Sequence, residues 1–134
     1  MSKWMNEGET SVGDVYLKAA AGVAKWLGLY ENTTEPAEGD TMAAITEQSV
    51  GLGYGRIQLL DADWAEQATK GEFKNLQKTF TAAGGGWGSQ YGYFITTAQT
   101  GTAGKLLAVE HFSDGPYTVN DGWSVKLTCT VVIS

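Results

Sequence analysis

A histidine, a serine and an aspartate stand almost together at His111, Ser113 and Asp114, the residue types of a hydrolytic triad. Neighbouring positions at the end of a strand point to opposite faces, so these three cannot line up as base, nucleophile and orienter. His111 therefore reads as a partly exposed strand-end histidine. Cys129 stands among alternating apolar residues with no basic neighbour on its own face, the setting of a buried, inert thiol. One cysteine forms no internal disulfide and one histidine supplies no histidine cluster, which excludes disulfide scaffolds and ordinary zinc sites. The run from Gly51 through Gly53 and Gly55 to Arg56 is as glycine-rich as a nucleotide-binding loop, but it precedes an alternating strand and opens no helix. Gly84 to Gly88 lacks the Lys-Ser/Thr ending of a phosphate loop.

Carboxylates are equally unfocused. Asp61 with Asp63, and Glu35 with Glu38 and Asp40, offer oxygen ligands for Ca²⁺ without the spacing of a known cage, and they read as solvated acidic loops. Among 15 Asp and Glu residues, no spacing singles out a pair for glycoside hydrolysis. Asn32-Thr33-Thr34 is a glycosylation sequon by letter, and nothing else points to a glycosylating compartment. No catalytic, cofactor-binding or metal-binding residue is expected, and the chain reads as a non-enzyme. Surface is the more informative feature. Five Trp and six Tyr exceed what one small core needs, and several lie in or beside glycine-rich or polar segments. Trp4, Met5, Trp64, Trp87 and Trp123 are the candidate interface, on the argument that contiguous exposed apolar area marks a contact site. The competing reading is that the tryptophans cap the open ends of a β fold.

The elements that carry these residues follow from periodicity. Residues 1–10 are polar apart from Trp4 and Met5 and read as a flexible N-terminal arm. Val12, Val15, Tyr16, Ala19 and Val23 share one helical stripe, which predicts a short amphipathic helix from about Gly13 to Ala21. From Ala24 the period becomes two. Leu27 and Leu29 face one way and Trp26 and Tyr30 the other, with Gly28 admitting a close neighbour. Further strands are expected over Tyr54–Leu60, Phe73–Thr81, Trp87–Thr97, Lys105–Phe112 and the C-terminal run. The Phe73–Thr81 strand should place Leu76 with Phe80, and its lysines mark it as an edge. In the C-terminal run, Val125, Leu127, Cys129, Val131 and Ile133 share one face and Lys126, Thr128 and Thr130 the other. Seven or eight strands with glycine-rich turns and no crossover helices predict an all-β fold. The expected layout is an antiparallel β-sandwich, jelly-roll or immunoglobulin-like, in which residues 11–134 form a single domain.

Composition limits the partners. The chain has 134 residues and a net charge of −6, from 9 Lys and Arg against 15 Asp and Glu, so it has no basic footprint for phosphate backbones and no nucleic-acid partner is expected. No apolar stretch approaches the roughly 20 residues of a bilayer helix, and the N-terminus lacks a signal-peptide pattern, so no membrane partner is expected either.

Several stretches together resemble a family of small virion proteins of tailed bacteriophages. They are NEGE (Asn6 to Glu9), LGLYENTTEP (Leu27 to Pro36), TEQSVGLGYGR (Thr46 to Arg56), WGSQYGYFIT (Trp87 to Thr96), KLLAVEHFSDGP (Lys105 to Pro116) and the final alternating strand. They span nearly the whole chain from Asn6 and carry fold rather than catalysis. The resemblance implies a non-enzymatic structural component of the virion. The expectation is a capsid decoration or cement protein on the outside of the head, made in the host cytoplasm. Its partners would be the major capsid protein and its own copies in a dimer or trimer. A tail-fibre or receptor-binding module that recognises host carbohydrate is the alternative.

Overall fold

The computed structural model describes residues 3–5, 24–69 and 72–132. These residues are mostly β, arranged in several antiparallel sheets, with two 3₁₀ turns at Met42–Ala44 and Asp61–Asp63. The largest sheet has the spatial order β1 (Lys3–Trp4), β9 (Leu106–His111), β8 (Gly92–Thr96), β2 (Lys25–Tyr30), β3 (Ile57–Leu59). A three-stranded sheet runs β12 (Thr130–Val132), β5 (Glu72–Lys74), β4 (Ala65–Glu66). Two further pairs are β11 (Ser124–Leu127) with β6 (Lys78–Thr81), and β10 (Tyr117–Thr118) with β7 (Ser89–Gln90).

Both faces of the large sheet are covered, which is why its central strands read as nearly continuous apolar runs. Leu27, Leu29, Tyr93 and Ile95 meet Phe80, Leu127 and Val131 from the smaller sheets in the main core. Tyr30, Phe94, Leu106 and Val109 on the opposite face meet Met5 and Met42 in a second core. Leu106 to Val109 are all buried between the two cores, and the ladder shifts register here: Ile95 pairs with Ala108 but Thr96 with Leu106, leaving Leu107 as the extra residue of a bulge. Gly28 lets the ring of Phe94 lie against the backbone of β2; a Cβ there would sit 2.3 Å from that ring.

Several expectations need correction. Where the N-terminal arm is described, it is docked. Lys3 and Trp4 pair with Val109 and Ala108, the Met5 amide donates to the Leu107 carbonyl, and Met5 is fully buried. Met5 is therefore a core residue and presents no contact surface; an unpaired edge of β9 over an apolar face is a stable place for such a segment to add. The expected helix at 13–21 lies outside the described residues. The strand expected at Phe73–Thr81 is two strands, β5 and β6, and the C-terminal run is likewise split into β11 and β12. Lys78 pairs with Leu127 and Lys74 with Thr130, so three residues (75–77) face two (128–129) across the break. The extra residue is accommodated as a bulge, and Leu76 is 60% exposed while Phe80 is buried. Nor is the whole segment an edge: β5 is the central strand of its sheet.

Candidate functional site

The five residues expected at an interface fall in different environments. Trp4 lies in β1 opposite Ala108, and Met5 is in the second core. Trp64 follows the second 3₁₀ turn and packs half-buried against the main core. Trp87 is buried; its indole N–H donates to the Leu52 carbonyl at 2.8 Å and its ring meets Tyr54 edge-on at 5.5 Å. Of the four whose side chains are described, Met5, Trp64, Trp87 and Trp123, only Trp123 is a large exposed one, at 58%.

Trp123 forms one wall of a cleft of about 350 Å³ between β10 and β11, lined by residues 116–119 on one side and 123–126 on the other. Asn120, Asp121 and Gly122 make the turn that joins the two sides; Gly122 has φ +81° and the Trp123 amide donates back to the Asn120 carbonyl at 2.9 Å. The floor is apolar, because Val119 is a buried member of the main core and Val125 packs against it. Lys126 is the charged residue of the lining. Near the entrance the Tyr117 hydroxyl donates to the Asp114 carboxylate; that bond raises the pKa of the phenol.

A second exposed apolar side chain belongs to the same end of the molecule. The Trp123 carbonyl accepts from the Ala82 amide and the Leu52 carbonyl from the Ala83 amide, so Trp123 and Leu52 come from segments flanking one short stretch. Leu52 is 48% exposed and has φ +51°. It is the first central residue of a two-residue hairpin turn closed by reciprocal bonds between Gly51 and Tyr54, with Gly53 at φ +83°. That is the job of the glycine run: a turn of the primed type, which favours Asn or Gly where this chain has Leu.

Past the hairpin turn, Arg56 and Glu47 build a polar cluster. The Arg56 side chain is 3% exposed and grips Glu47 through two nitrogens at 2.9 and 2.8 Å. It also donates to the carbonyls of Ala98 and Gly101 and lies over the Phe94 ring, 5.2 Å from its centroid. Tyr54 donates to Glu47 and accepts from the Leu29 amide; burial, then the Glu47 charge, pushes its phenol pKa up. The mixture of glycines with Glu47 and Arg56 nine residues apart was the available signal, but their pairing depends on the hairpin turn between them.

Other residues weighed for chemistry have structural partners. Asp61 takes the buried Lys25 and Asp63 takes Lys78 at 3.2 Å, so neither carboxylate is a free oxygen ligand. Asn32 bridges the Ala44 carbonyl and the Thr46 amide with its side-chain amide, at 2.8 and 2.7 Å. His111 meets the Tyr30 hydroxyl through Nδ1 at 3.0 Å, and the rings of Tyr30 and Tyr91 flank it. Neither Ser113 nor Asp114 is placed on that imidazole, since both follow β9 in the turn before β10. Cys129 is fully buried, and burial pushes its thiol pKa up to about 12. Among the described residues no three His, Cys, Asp or Glu side chains gather to hold a metal ion, and no helix is long and apolar enough to cross a membrane.

Among the described residues, the cleft beside Trp123 combines room with an apolar floor and an exposed tryptophan. The sequence expectation had reached Trp123 but not residues 117–119 or Val125 and Lys126, although the Asn-Asp-Gly turn between two short β runs was legible. Comparison with protein-family models finds no match for this chain, and comparison with curated proteins finds none either.

Proposed function

We propose that this chain is a structural protein of a tailed-bacteriophage virion, a capsid decoration or cement protein that binds the outer surface of the head and strengthens it. The observation that carries the reading is the apolar cleft at β10 and β11, whose floor is continuous with the main core and whose wall is an exposed tryptophan. Large exposed aromatic area next to a rigid core is attachment chemistry: a preformed surface loses little on docking, and many copies on a shell add up weak contacts. In this reading the large sheet forms one layer of a β-sandwich and the smaller sheets form the other, because residues of both contribute to one core. Open edges on the two-stranded sheets leave room for a dimer or trimer.

Purified protein mixed with undecorated, expanded heads built of the major capsid protein is expected to bind in a fixed stoichiometry and to raise the temperature at which the shells rupture. Absence of binding at micromolar concentration would overturn the assignment to the head. The second reading, a tail module that recognises host carbohydrate, rests on Trp123 as a stacking platform. A glycan array that lights up with the wild-type chain and fades with Trp123→Ala would replace the first reading with the second.

A further inference from the structure

β10 and β11 are consecutive strands joined by a short turn, the usual setting for a zipped hairpin, yet each pairs elsewhere. Among the described residues β10 bonds only β7 and β11 only β6, which leaves their outer edges without a ladder partner there. The cleft runs along those edges. On a sheet face only alternate residues would line a depression, whereas here four consecutive residues line each side.

The direction of the backbone groups follows from the ladder. The Ala82 amide donates to the Trp123 carbonyl, and Val125 stands opposite Phe80 two residues on, so the Trp123 carbonyl and the peptide groups of Val125 turn toward β6. By antiparallel alternation those of Ser124 and Lys126 turn to the other side, toward the cleft. On the facing strand the Val119 carbonyl takes the Trp87 amide, which turns the peptide groups of Thr118 away from β7. Two strand edges without a ladder partner among the described residues therefore border a slot whose floor is core and whose wall is Trp123.

We infer that this slot receives an extended strand of the partner protein, which pairs with the β11 edge and lays an apolar side chain against Trp123 and Val125. The inference rests on the reading that the cleft is the attachment surface, and it names what the attachment consists of. Backbone pairing selects an extended polypeptide over a sugar or a helix, because only a strand offers amides and carbonyls at the matching repeat. Charge favours a strand that carries a carboxylate, because the charged lining residue is Lys126.

Two experiments separate this inference from the attachment reading. In the first, the full chain labelled with ¹⁵N is mixed with a short blocked peptide that alternates valine with threonine and carries one glutamate. Hydrogen exchange at Ser124 and Lys126 should slow at least tenfold, and a version of the peptide with N-methylated backbone amides should lose the effect. Equal protection by both peptides, or none by either, overturns the inference whatever the heads do. In the second, Lys126→Pro removes an N–H that faces the slot and spares the β6 ladder, a substitution edge strands accept. Binding to heads should fall at least tenfold with Lys126→Pro and only two- to threefold with Lys126→Ala. Equal losses would mean side-chain contact without strand pairing and overturn the inference while leaving the attachment reading in place. Failure of the wild-type chain to bind heads would instead overturn the attachment reading, with the peptide exchange still deciding the slot.

Discussion

The Arg56 flank and the Trp123 cleft are both made by loops folding against sheet edges, and they end in opposite states. At Arg56 a guanidinium, a carboxylate, a phenol and two carbonyls saturate one another, with the guanidinium side chain 3% exposed and the Glu47 side chain 20%. At Trp123 the core runs out to a slot with open strand edges and a tryptophan 58% exposed. A buried ion pair is dear to desolvate and dearer to break, so the first flank is committed to the fold. Exposed apolar area and unpaired edges are a standing liability, so they persist where something covers them. The difference separates side chains that the molecule spends on itself from side chains that it leaves in water.

The sharpest way to test that division uses one strand. Leu127, at the inner end of β11, is 9% exposed in the main core, and Leu127→Asp puts a carboxylate into it whose cross-strand neighbour, Lys78, is already held by Asp63. The loss should exceed roughly 4 kcal/mol and leave the chain unfolded at 25 °C by circular dichroism. A cooperative melt close to that of the wild type would mean that β11 does not seal the core.

Next in size is Arg56→Ala. It strands the Glu47 carboxylate and removes the donors that hold the Ala98 and Gly101 carbonyls, for a cost of about 3–5 kcal/mol in urea denaturation. If the double variant Arg56→Ala with Glu47→Ala is no more stable than the single one, the ion pair is not what closes this flank.

How much of this could be read from residue order differs between the two flanks for a physical reason. The period of two put Leu27 and Leu29 together, made room at Gly28 and alternated the C-terminal run correctly: Leu127, Cys129 and Val131 are buried while Lys126 and Thr128 are exposed. Alternation survives the break between β11 and β12, since its inward face is kept on both sides. It failed at Leu76, where one extra residue shifts the register and turns an apolar side chain outward. Burial of Lys25 and Arg56 escaped it altogether, because each depends on a carboxylate brought in by a turn, Asp61 in one case and Glu47 in the other. Trp123 was legible as an aromatic in a polar segment, but Trp87, in a similar setting, found a carbonyl for its indole and went inside.

Leu52 lies between the two flanks in energy. Its left-handed backbone costs about 1 kcal/mol relative to a residue that accepts it, and Leu52→Asn should return that amount as a higher melting temperature. The same change removes an exposed apolar group beside the cleft, so affinity for heads should drop as stability rises. A rise in both would show that Leu52 is an accident of the turn and no part of the attachment surface.

The smallest effect on the fold, and the most telling, belongs to Trp123→Ala. Its side chain is mostly in water, and the backbone bonds at this position, from the Ala82 amide and to the Asn120 carbonyl, do not need the indole. Stability should therefore change by no more than about 0.5 kcal/mol. Hot spots at interfaces are enriched in tryptophan, so the same truncation should weaken attachment by roughly 2 kcal/mol, some thirtyfold in Kd. Leu127 and Trp123 are four positions apart on one stretch of chain, and the pair should split cleanly, one abolishing the fold and the other only the binding. A Trp123→Ala chain that melts several degrees early would make the tryptophan a cap on the core and leave the cleft without its wall.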